Sequence, residues 1–99
     1  MKVSVIIPVY KAAAFVSEAV RSALVCLEVG ELLLVEDGSP DESLAVCQRL
    51  AVEHDSVRLL RHPNGENRGA GESRNVAIRA AACEVVSFLD ADDVYLSHR

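Results

Sequence analysis

The sequence predicts an α/β fold, a three-layer sandwich in which helices cover both faces of a mostly parallel sheet. Apolar runs rich in valine, isoleucine and leucine alternate with segments whose apolar residues recur at helical spacing. The last run, Val85–Leu89, leads directly into the acidic stretch Asp90-Ala91-Asp92-Asp93. Such alternation is typical of parallel strands joined by right-handed crossovers. We therefore predict the order β-α-β-α-β-α-β over residues 1–99.

The composition indicates a globular chain and argues against a nucleic-acid partner. Of the 99 residues, 51% are hydrophobic and 25% are charged, which is a balance that supports a folded core. The formal net charge is −5, and the sequence has no basic stripe and only two Tyr and two Phe. Phosphate neutralisation and base stacking would therefore have few residues to use.

Cysteine usage and the absence of targeting signals predict a cytoplasmic location. Cys26, Cys47 and Cys83 are odd in number and far apart, so we expect buried thiols in a reducing compartment rather than disulfides or a metal site. The N-terminus lacks the pattern of a signal peptide. No apolar run approaches the ~18 residues that a membrane span requires.

The first half of the chain predicts two buried strands flanking a helix. Residues Lys2–Val9 form a nearly continuous apolar run, which should end at Pro8 because proline cannot donate a ladder hydrogen bond. Helical spacing of apolar residues then begins at Ala12 and continues to Leu27. Residues Glu31–Val35 form the second strand, which leads into acidic residues.

The second half predicts two more helices and two more strands. Residues Ser39–Glu42 resemble a helix start, with a Ser cap, Pro at the first helical position and a Glu that completes a capping box. Ser56–Arg61 predicts a short strand near an edge of the sheet. After a loop over residues 62–71, a third helix is expected over about Glu72–Cys83, followed by the fourth strand.

Chemically active side chains follow several of these strands. Parallel strands bring their carboxyl ends to one edge, which is where ligands bind in open α/β sheets. Three neighbouring carboxylates repel one another unless a cation offsets them, and Mg²⁺ or Mn²⁺ held together with phosphates would do so. The groups expected at this edge are Tyr10, Glu36-Asp37, the loop Asn67–Arg74, and Asp90, Asp92 and Asp93.

A nucleoside diphosphate would match this set of groups. Tyr10 could flank a base, Asp37 could accept from a base N–H, and Arg68 and Arg74 could neutralise phosphates. The sequence has neither G-x-G-x-x-G after its first strand nor a P-loop, so metal and arginine would have to hold the phosphates.

Four motifs resemble those of the family 2 glycosyltransferases, whose fold is the Rossmann-like GT-A fold. Val3–Tyr10 is similar to V-S-V-I-I-P-x-Y, and Glu31–Asp41 to E-I-I-V-V-D-D-G-S-x-D. Asn67–Asn75 resembles N-x-G-x-x-x-A-R-N, and Phe88–Asp93 resembles F-L-D-x-D-D, which contains the DxD motif. Each motif alone is weak, but the four occur in the family's order and cover nearly the whole chain.

The resemblance implies nucleotide-binding roles for residues in the first three motifs. Pro8 and Tyr10 would line the uracil or another base, and Asp37 would accept a hydrogen bond from the base. Arg74 would contact the nucleotide near its base or its phosphates.

The resemblance also implies a metal-dependent donor site in the fourth motif. Asp90 or Asp92 would hold the ribose, and Asp92, with Asp93, would bind the Mn²⁺ or Mg²⁺ that bridges the diphosphate. Such a cation acts as a Lewis acid that offsets charge on the departing nucleoside diphosphate.

Three positions depart from the family pattern, and the three histidines do not have the spacing of metal ligands. Lys11 stands where Asn is usual, Glu36 replaces the first Asp of its pair, and Ser73 replaces the Ala before Arg74-Asn75. The three histidines lack ligand spacing, and we predict that they lie on the surface. They are His54, His62 and His98.

The family resemblance implies that residues 1–99 form the nucleotide-sugar-binding N-terminal part of an incomplete GT-A domain. The acceptor site and the general base are expected beyond Arg99, so the isolated chain should be inactive. The parent enzyme would transfer a sugar, most simply from a UDP-sugar, to an acceptor hydroxyl with inversion. Envelope polysaccharide or glycan synthesis, with peripheral association at the inner membrane face, is the implied setting.

The sequence also allows a comparison with two other classes of function. The chain could be a catalytically inactive, truncated nucleotide-binding module, or one that dimerises through the open edge of its fourth strand. A nucleotidyltransferase is disfavoured, because the segment after the first strand, VIIPVYKAAA, is not a glycine-rich loop bearing Arg or Lys.

Overall fold

A computed structural model describes residues 2–91 and confirms the predicted order of strands and helices. A single 3₁₀ turn, Pro63–Gly65, lies in the loop between the third strand and the third helix. The elements are β1 Val3–Val9, α1 Val16–Leu24, β2 Val29–Glu36, α2 Ser43–Glu53, β3 Val57–Arg61, α3 Ala70–Ala80 and β4 Val85–Phe88.

The four strands form one parallel sheet in the order β3-β2-β1-β4. β1 is hydrogen-bonded on both sides, and its Ile6 pairs with Leu33 of β2 and Phe88 of β4. The expectation that the third strand lies at an edge is confirmed. β1 and β2 are continuously apolar because both of their faces are covered.

Helices pack on both faces of the sheet, which confirms the three-layer arrangement. Side chains that alternate along a strand point to opposite faces. Val5 and Leu32 belong to the larger core, which they share with α1 and α2. Ile6 and Leu33 point to the other face, where the small Ala77 lets α3 lie close to the sheet.

The predicted start of the first helix is wrong. α1 begins at Val16, because residues 12–15 form a turn in which the amides of Phe15 and Val16 both donate to the carbonyl of Ala12. The helix ends at Leu24, and Leu27, expected on its buried face, is 88% exposed. The first strand also continues one residue past Pro8.

The predicted capping box is also wrong, because its residues make other contacts. α2 begins at Ser43, and the preceding Glu42 makes no side-chain cap. Ser39 Oγ instead accepts a 3.0 Å hydrogen bond from the amide of Lys11. Asp41 accepts from both the hydroxyl and the amide of Ser43, which holds the pKa of its carboxyl below the usual range.

Two further boundaries differ from the sequence prediction. α3 covers Ala70–Ala80 rather than Glu72–Cys83, since Ala81 already has extended backbone. β2 begins at Val29, two residues before the predicted start at Glu31, and it includes Gly30. Gly30 fits there because its missing side chain leaves room for Lys2 and Cys83.

Buried polar contacts close the end of the sheet where the strands begin. Glu31 accepts hydrogen bonds from Ser4 Oγ at 2.7 Å, from the amide of Ala82 at 2.6 Å and from Arg58 at 3.0 Å. Burial raises the pKa of Glu31, but these donors together outweigh it and leave the pKa lowered. No helix within residues 2–91 is long and apolar enough to span a membrane.

Candidate functional site

A cavity of about 500 Å³ opens at the carboxyl edge of the sheet. This volume lies within the range of small-molecule sites. The segments that follow β1, β2 and β4 and the start of α3 form its walls, as the parallel topology predicts. The lining residues are Pro8, Val9, Tyr10, Lys11, Ala12, Phe15, Asp37, Asn67, Gly69, Ala70, Arg74, Asp90 and Ala91.

The cavity brings together the predicted nucleotide-binding residues that the structure describes. They are Pro8, Tyr10, Asp37, Arg74 and Asp90. Asp92 and Asp93, predicted to bind nucleotide and metal, lie outside the described residues. Arg68 does not line the cavity, and its guanidinium pairs with Glu66 at 3.0 Å. Glu36 is buried and accepts from the amides of Gly38 and Ser39, so it shapes the turn after β2.

An aromatic and a cationic side chain line one wall of the cavity. Tyr10 is 45% exposed, and the ammonium of Lys11 lies 5.4 Å from the centre of its ring. Lys11 has a φ of 52°, in the left-handed region that asparagine and glycine tolerate best. Phe15, 53% exposed, adds a second aromatic ring that the sequence reasoning missed.

Asp37 is the polar centre of the site, although only 3% of its surface is exposed. Its carboxylate accepts from the amide of Arg68 at 2.7 Å, the amide of Gly69 at 3.0 Å and the side chain of Asn67 at 3.3 Å. A carboxylate has about four acceptor positions. Asp37 therefore holds the loop that leads into α3, and its predicted contact with a base stays a prediction.

The Asp37 carboxylate also lies close to His62, which the sequence had placed on the surface. That prediction is wrong, because the His62 side chain is fully buried and its Nε2 lies 3.2 Å from Asp37 Oδ1. The same nitrogen lies 3.0 Å from Ser73 Oγ. A single histidine without ligand spacing gave little signal of this buried position.

A close approach of two chain segments fixes the turn that carries Asp37. Gly38 has a φ of 67°, and a Cβ at this position would lie 2.7 Å from the amide of Asn67 and 2.8 Å from the carbonyl of Gly65. Only glycine meets both requirements without a shift of the backbone. The turn after β2 and the loop before α3 therefore pack as one unit.

Arg74 lies on α3 beside the aromatic end of β4. Its guanidinium carbon is 5.9 Å from the centre of the Phe88 ring, and the residue lines the cavity. Leu89 continues the ladder by donating to the carbonyl of Ile6 at 3.0 Å, which places Asp90 directly at the cavity wall. The site thus combines aromatic surface with both cationic and anionic side chains.

Comparison with known sequences identifies the family. The sequence model of glycosyl transferase family 2 matches residues 4–99. The chain belongs to glycosyltransferase family 2.

Relatives within family 2 are longer than this chain. An uncharacterized glycosyltransferase, alr2836, of Nostoc sp. is 39% identical over 101 residues, covering 100% of this chain and 30% of the relative. The succinoglycan biosynthesis protein ExoU of Rhizobium meliloti is 36% identical over 97 residues, covering 98% of this chain and 28% of the relative. The chain therefore spans less than a third of the length of these relatives.

Solved glycosyltransferase structures share the fold. The mannosyltransferase PcManGT of Pyrobaculum calidifontis, in complex with GDP-Man and Mn²⁺, has a TM-score of 0.84 at 27% identity, covering 95% of this chain and 28% of that one. TarS 1–349 of S. aureus, in complex with UDP-GlcNAc, has a TM-score of 0.84 at 28% identity, covering 99% and 28%. These matches confirm the predicted GT-A fold.

A family 2 metal site was predicted on the acidic motif, of which the structure describes the first carboxylate. Asp90 is exposed at the cavity wall and offers hard oxygen ligands of the type that Mg²⁺ and Mn²⁺ take. Within residues 2–91, no group of three or more His, Cys, Asp or Glu residues could hold a metal ion. The predicted metal ligands, Asp92 and Asp93, follow Asp90 in the sequence but lie outside the described residues, so the metal site stays a prediction.

Proposed function

We propose that this chain is the donor-binding portion of a glycosyltransferase, binding a nucleoside diphosphate sugar in the cavity at the carboxyl edge of the sheet. The observation that carries the proposal is that five residues predicted from four separate motifs line this one cavity. The nucleotide-sugar complexes of the similar structures PcManGT and TarS support this type of ligand. A UDP-sugar is the first choice for the donor.

The cavity walls offer the contacts that a nucleoside requires. The exposed face of Tyr10 provides a surface against which a base can stack. Pro8 adds an apolar wall next to it, and Asp37 provides the carboxylate toward which a base N–H would point. We therefore place the nucleoside between β1 and β2.

Positive side chains and the acidic motif would hold the diphosphate. Arg74 and Lys11 are the cations that line the cavity among the described residues. Asp92 and Asp93 would bind Mn²⁺ or Mg²⁺, with Asp90 or Asp92 on the ribose. The cation, when bound, would offset negative charge on the diphosphate.

The proposed reaction belongs to the parent protein rather than to this chain alone. The bond between the sugar's anomeric carbon and the diphosphate breaks, and a bond to an acceptor hydroxyl forms. Inversion requires a general base to take the acceptor proton, and we expect that residue beyond Arg99. The succinoglycan role of the relative ExoU supports envelope polysaccharide synthesis, which we place in the cytoplasm at the inner membrane face.

The open edge of β4 supports a second candidate, a module that dimerises. β4 pairs only with β1 among the described strands, and its Val85 and Phe88 are 38% and 43% exposed. Exposed apolar edges invite pairing with another chain. Sedimentation equilibrium over a hundredfold concentration range tests this candidate, which a constant monomer mass would exclude.

Calorimetric titration of UDP into the chain, with and without Mn²⁺, tests the proposed function. We expect binding that strengthens at least tenfold with Mn²⁺ and that weakens at least tenfold in Arg74→Gln. Arg79→Gln is the matched control, because Arg79 lies on the same helix, pairs with Glu72 at 3.7 Å and is absent from the cavity. GDP in place of UDP then tests the choice of base.

Three results would contradict the proposal or a part of it. A folded chain that binds neither UDP nor GDP would remove the nucleotide site. Equal loss of affinity in Arg74→Gln and Arg79→Gln would show that the cavity is not where the nucleotide binds. An Asp92→Ala variant that keeps the full effect of Mn²⁺ would exclude the proposed metal ligand.

A further inference from the structure

We infer that His62 is a positioning residue for the nucleotide site, acting through Asp37 and Ser73. This inference rests on the proposed function and deepens it. His62 is fully buried and does not line the cavity, so it cannot touch a ligand there. Its Nε2 contacts Asp37 Oδ1 at 3.2 Å and Ser73 Oγ at 3.0 Å. These two residues sit at the end of β2 and within the first turns of α3.

The contacts of the imidazole assign a proton to Nε2. A bare nitrogen lone pair facing the Asp37 carboxylate would be repelled, whereas an N–H there is attracted to the negative charge. Nδ1 is buried and has no hydrogen-bond partner among residues 2–91. An Nδ1–H tautomer would therefore combine an unpaired buried donor with a repulsive contact. An Nε2–H donates to Ser73 Oγ at 3.0 Å and at the same time faces the Asp37 carboxylate, 3.2 Å away, with its positive end.

Asp37 transmits this contact to the start of α3. Its Oδ1 lies 3.2 Å from His62 Nε2 and accepts a hydrogen bond from the amide of Arg68 at 2.7 Å. Gly69, the residue that precedes α3, donates to the same carboxylate at 3.0 Å. The position of the helix start therefore depends on the orientation of the Asp37 carboxylate.

Ser73 gives His62 a second contact with the start of α3, next to the positively charged Arg74. Ser73 is fully buried and directly precedes Arg74, which lines the cavity. The family pattern has Ala at the position of Ser73, so the bond between His62 and Ser73 distinguishes this chain from that pattern. An apolar residue at position 62 would leave no buried nitrogen unpaired. The two contacts of Nε2 explain why a histidine occupies this position.

Three variants separate positioning from simple packing. His62→Leu removes the donor and keeps an apolar side chain, whereas His62→Gln can place an amide N–H near the position of Nε2. Ser73→Ala removes only the contact on α3. Ser4→Ala is the matched control, because Ser4 is also fully buried and hydrogen-bonded but lies at the opposite end of the sheet.

Two measurements on the 99-residue chain test the inference. Amide hydrogen exchange by NMR reports the bonds from Arg68 and Gly69 to Asp37, and titration of UDP with Mn²⁺ reports the site. We expect His62→Leu to speed exchange of both amides at least tenfold and to weaken UDP binding at least tenfold. His62→Gln should restore both within about threefold, and Ser4→Ala should leave both unchanged. Ser73→Ala should weaken UDP binding by a smaller factor.

The two readouts distinguish failure of this inference from failure of the proposed function. Unchanged exchange at Arg68 and Gly69 in His62→Leu would overturn the positioning role, whether or not the chain binds UDP. A wild-type chain that binds no nucleotide would overturn the proposed function, and the exchange data would still show whether His62 orders the loop. Equal losses of UDP affinity in His62→Leu and Ser4→Ala would assign the effect to general stability and overturn the inference.

Discussion

The hydroxyl of Ser4 donates a 2.7 Å hydrogen bond to Glu31 at the end of the sheet opposite the cavity. The same carboxylate accepts from the amide of Ala82 and from Arg58, so one buried acid joins the beginnings of three strands to the segment after α3. This buried polar cluster thus lies at the opposite end of the strands from the site.

Glu31 should make the stability of the chain depend on pH in the acid range. The pKa of Glu31 is lower in the folded chain than in the unfolded chain. Its contribution to the free energy of unfolding is therefore complete above the unfolded pKa of ~4.3 and is lost as the pH falls through the folded pKa. Glu31→Gln should cost ~2 kcal/mol at pH 7, and the difference from wild type should shrink at pH 3. Urea unfolding at both pH values measures this. Glu53→Gln, at an exposed pair, should change stability by under ~0.5 kcal/mol, and a pH-independent effect of Glu31→Gln would contradict the prediction.

Alanine should have opposite effects at two glycines. Gly38→Ala should cost ~2–3 kcal/mol, because φ is positive and the new Cβ would meet the backbone of Gly65 and Asn67. Gly71→Ala should stabilise by ~0.5–1 kcal/mol, since Gly71 lies in α3 with open space around it. Urea unfolding of both variants checks the pair. Equal effects would mean that the turn after β2 can relax.

The positive φ at position 11 should favour asparagine, the usual residue in the family, over lysine. Lys11→Asn should stabilise the chain by ~0.5–1 kcal/mol, because asparagine tolerates a φ of 52° better than lysine does. Asn64 has a φ of 59°, so Asn64→Lys should lose a similar amount and serves as the reciprocal control. Thermal unfolding measures both changes. A loss of stability in Lys11→Asn would indicate that the lysine side chain matters more than its backbone.

The three free thiols should react at different rates. Burial, together with the nearby charges of Glu36 and Asp41, raises the pKa of the Cys47 thiol to about 12. Cys47 should therefore resist iodoacetamide at pH 8 in the folded chain, while the half-buried Cys83 is modified. Mass spectrometry of the peptides gives the modification rates. In guanidinium, where the chain is unfolded, the two thiols should react at the same rate. Equal rates in the folded chain would contradict the structure around Cys47.

The sheet and the location of the site could be predicted because both follow from strong, local signals. Strands buried on both faces carry continuous apolar runs, and parallel topology then brings Tyr10, Asp37 and Asp90 to one edge. The start of α2 could not be predicted in the same way. Ser39 fits a helix cap locally, but in the fold its hydroxyl is taken by the amide of Lys11, 28 residues away in sequence.

His62 illustrates a second limit of sequence reasoning. Its partners, Asp37 and Ser73, come from different elements, and no regular spacing connects the three residues. Buried polar contacts of this kind depend on how helices and strands pack, which apolar periodicity does not specify. The departure of Ser73 from the family pattern was informative only once its neighbour in space was known.

The central position of β1 has a consequence for how the chain folds. Its pairing with β2 joins nearby segments, but its pairing with β4 joins Ile6 to Phe88, almost at opposite ends of the described residues. Long-range parallel pairing is intrinsically slow, because a large loop must close before the contact forms. During synthesis one side of β1 stays unpaired until β4 has emerged, and this open edge is where premature association between chains would begin. Formation of the Ile6–Phe88 pair thus completes the pairing of β1 and also ends the period in which this apolar strand is exposed.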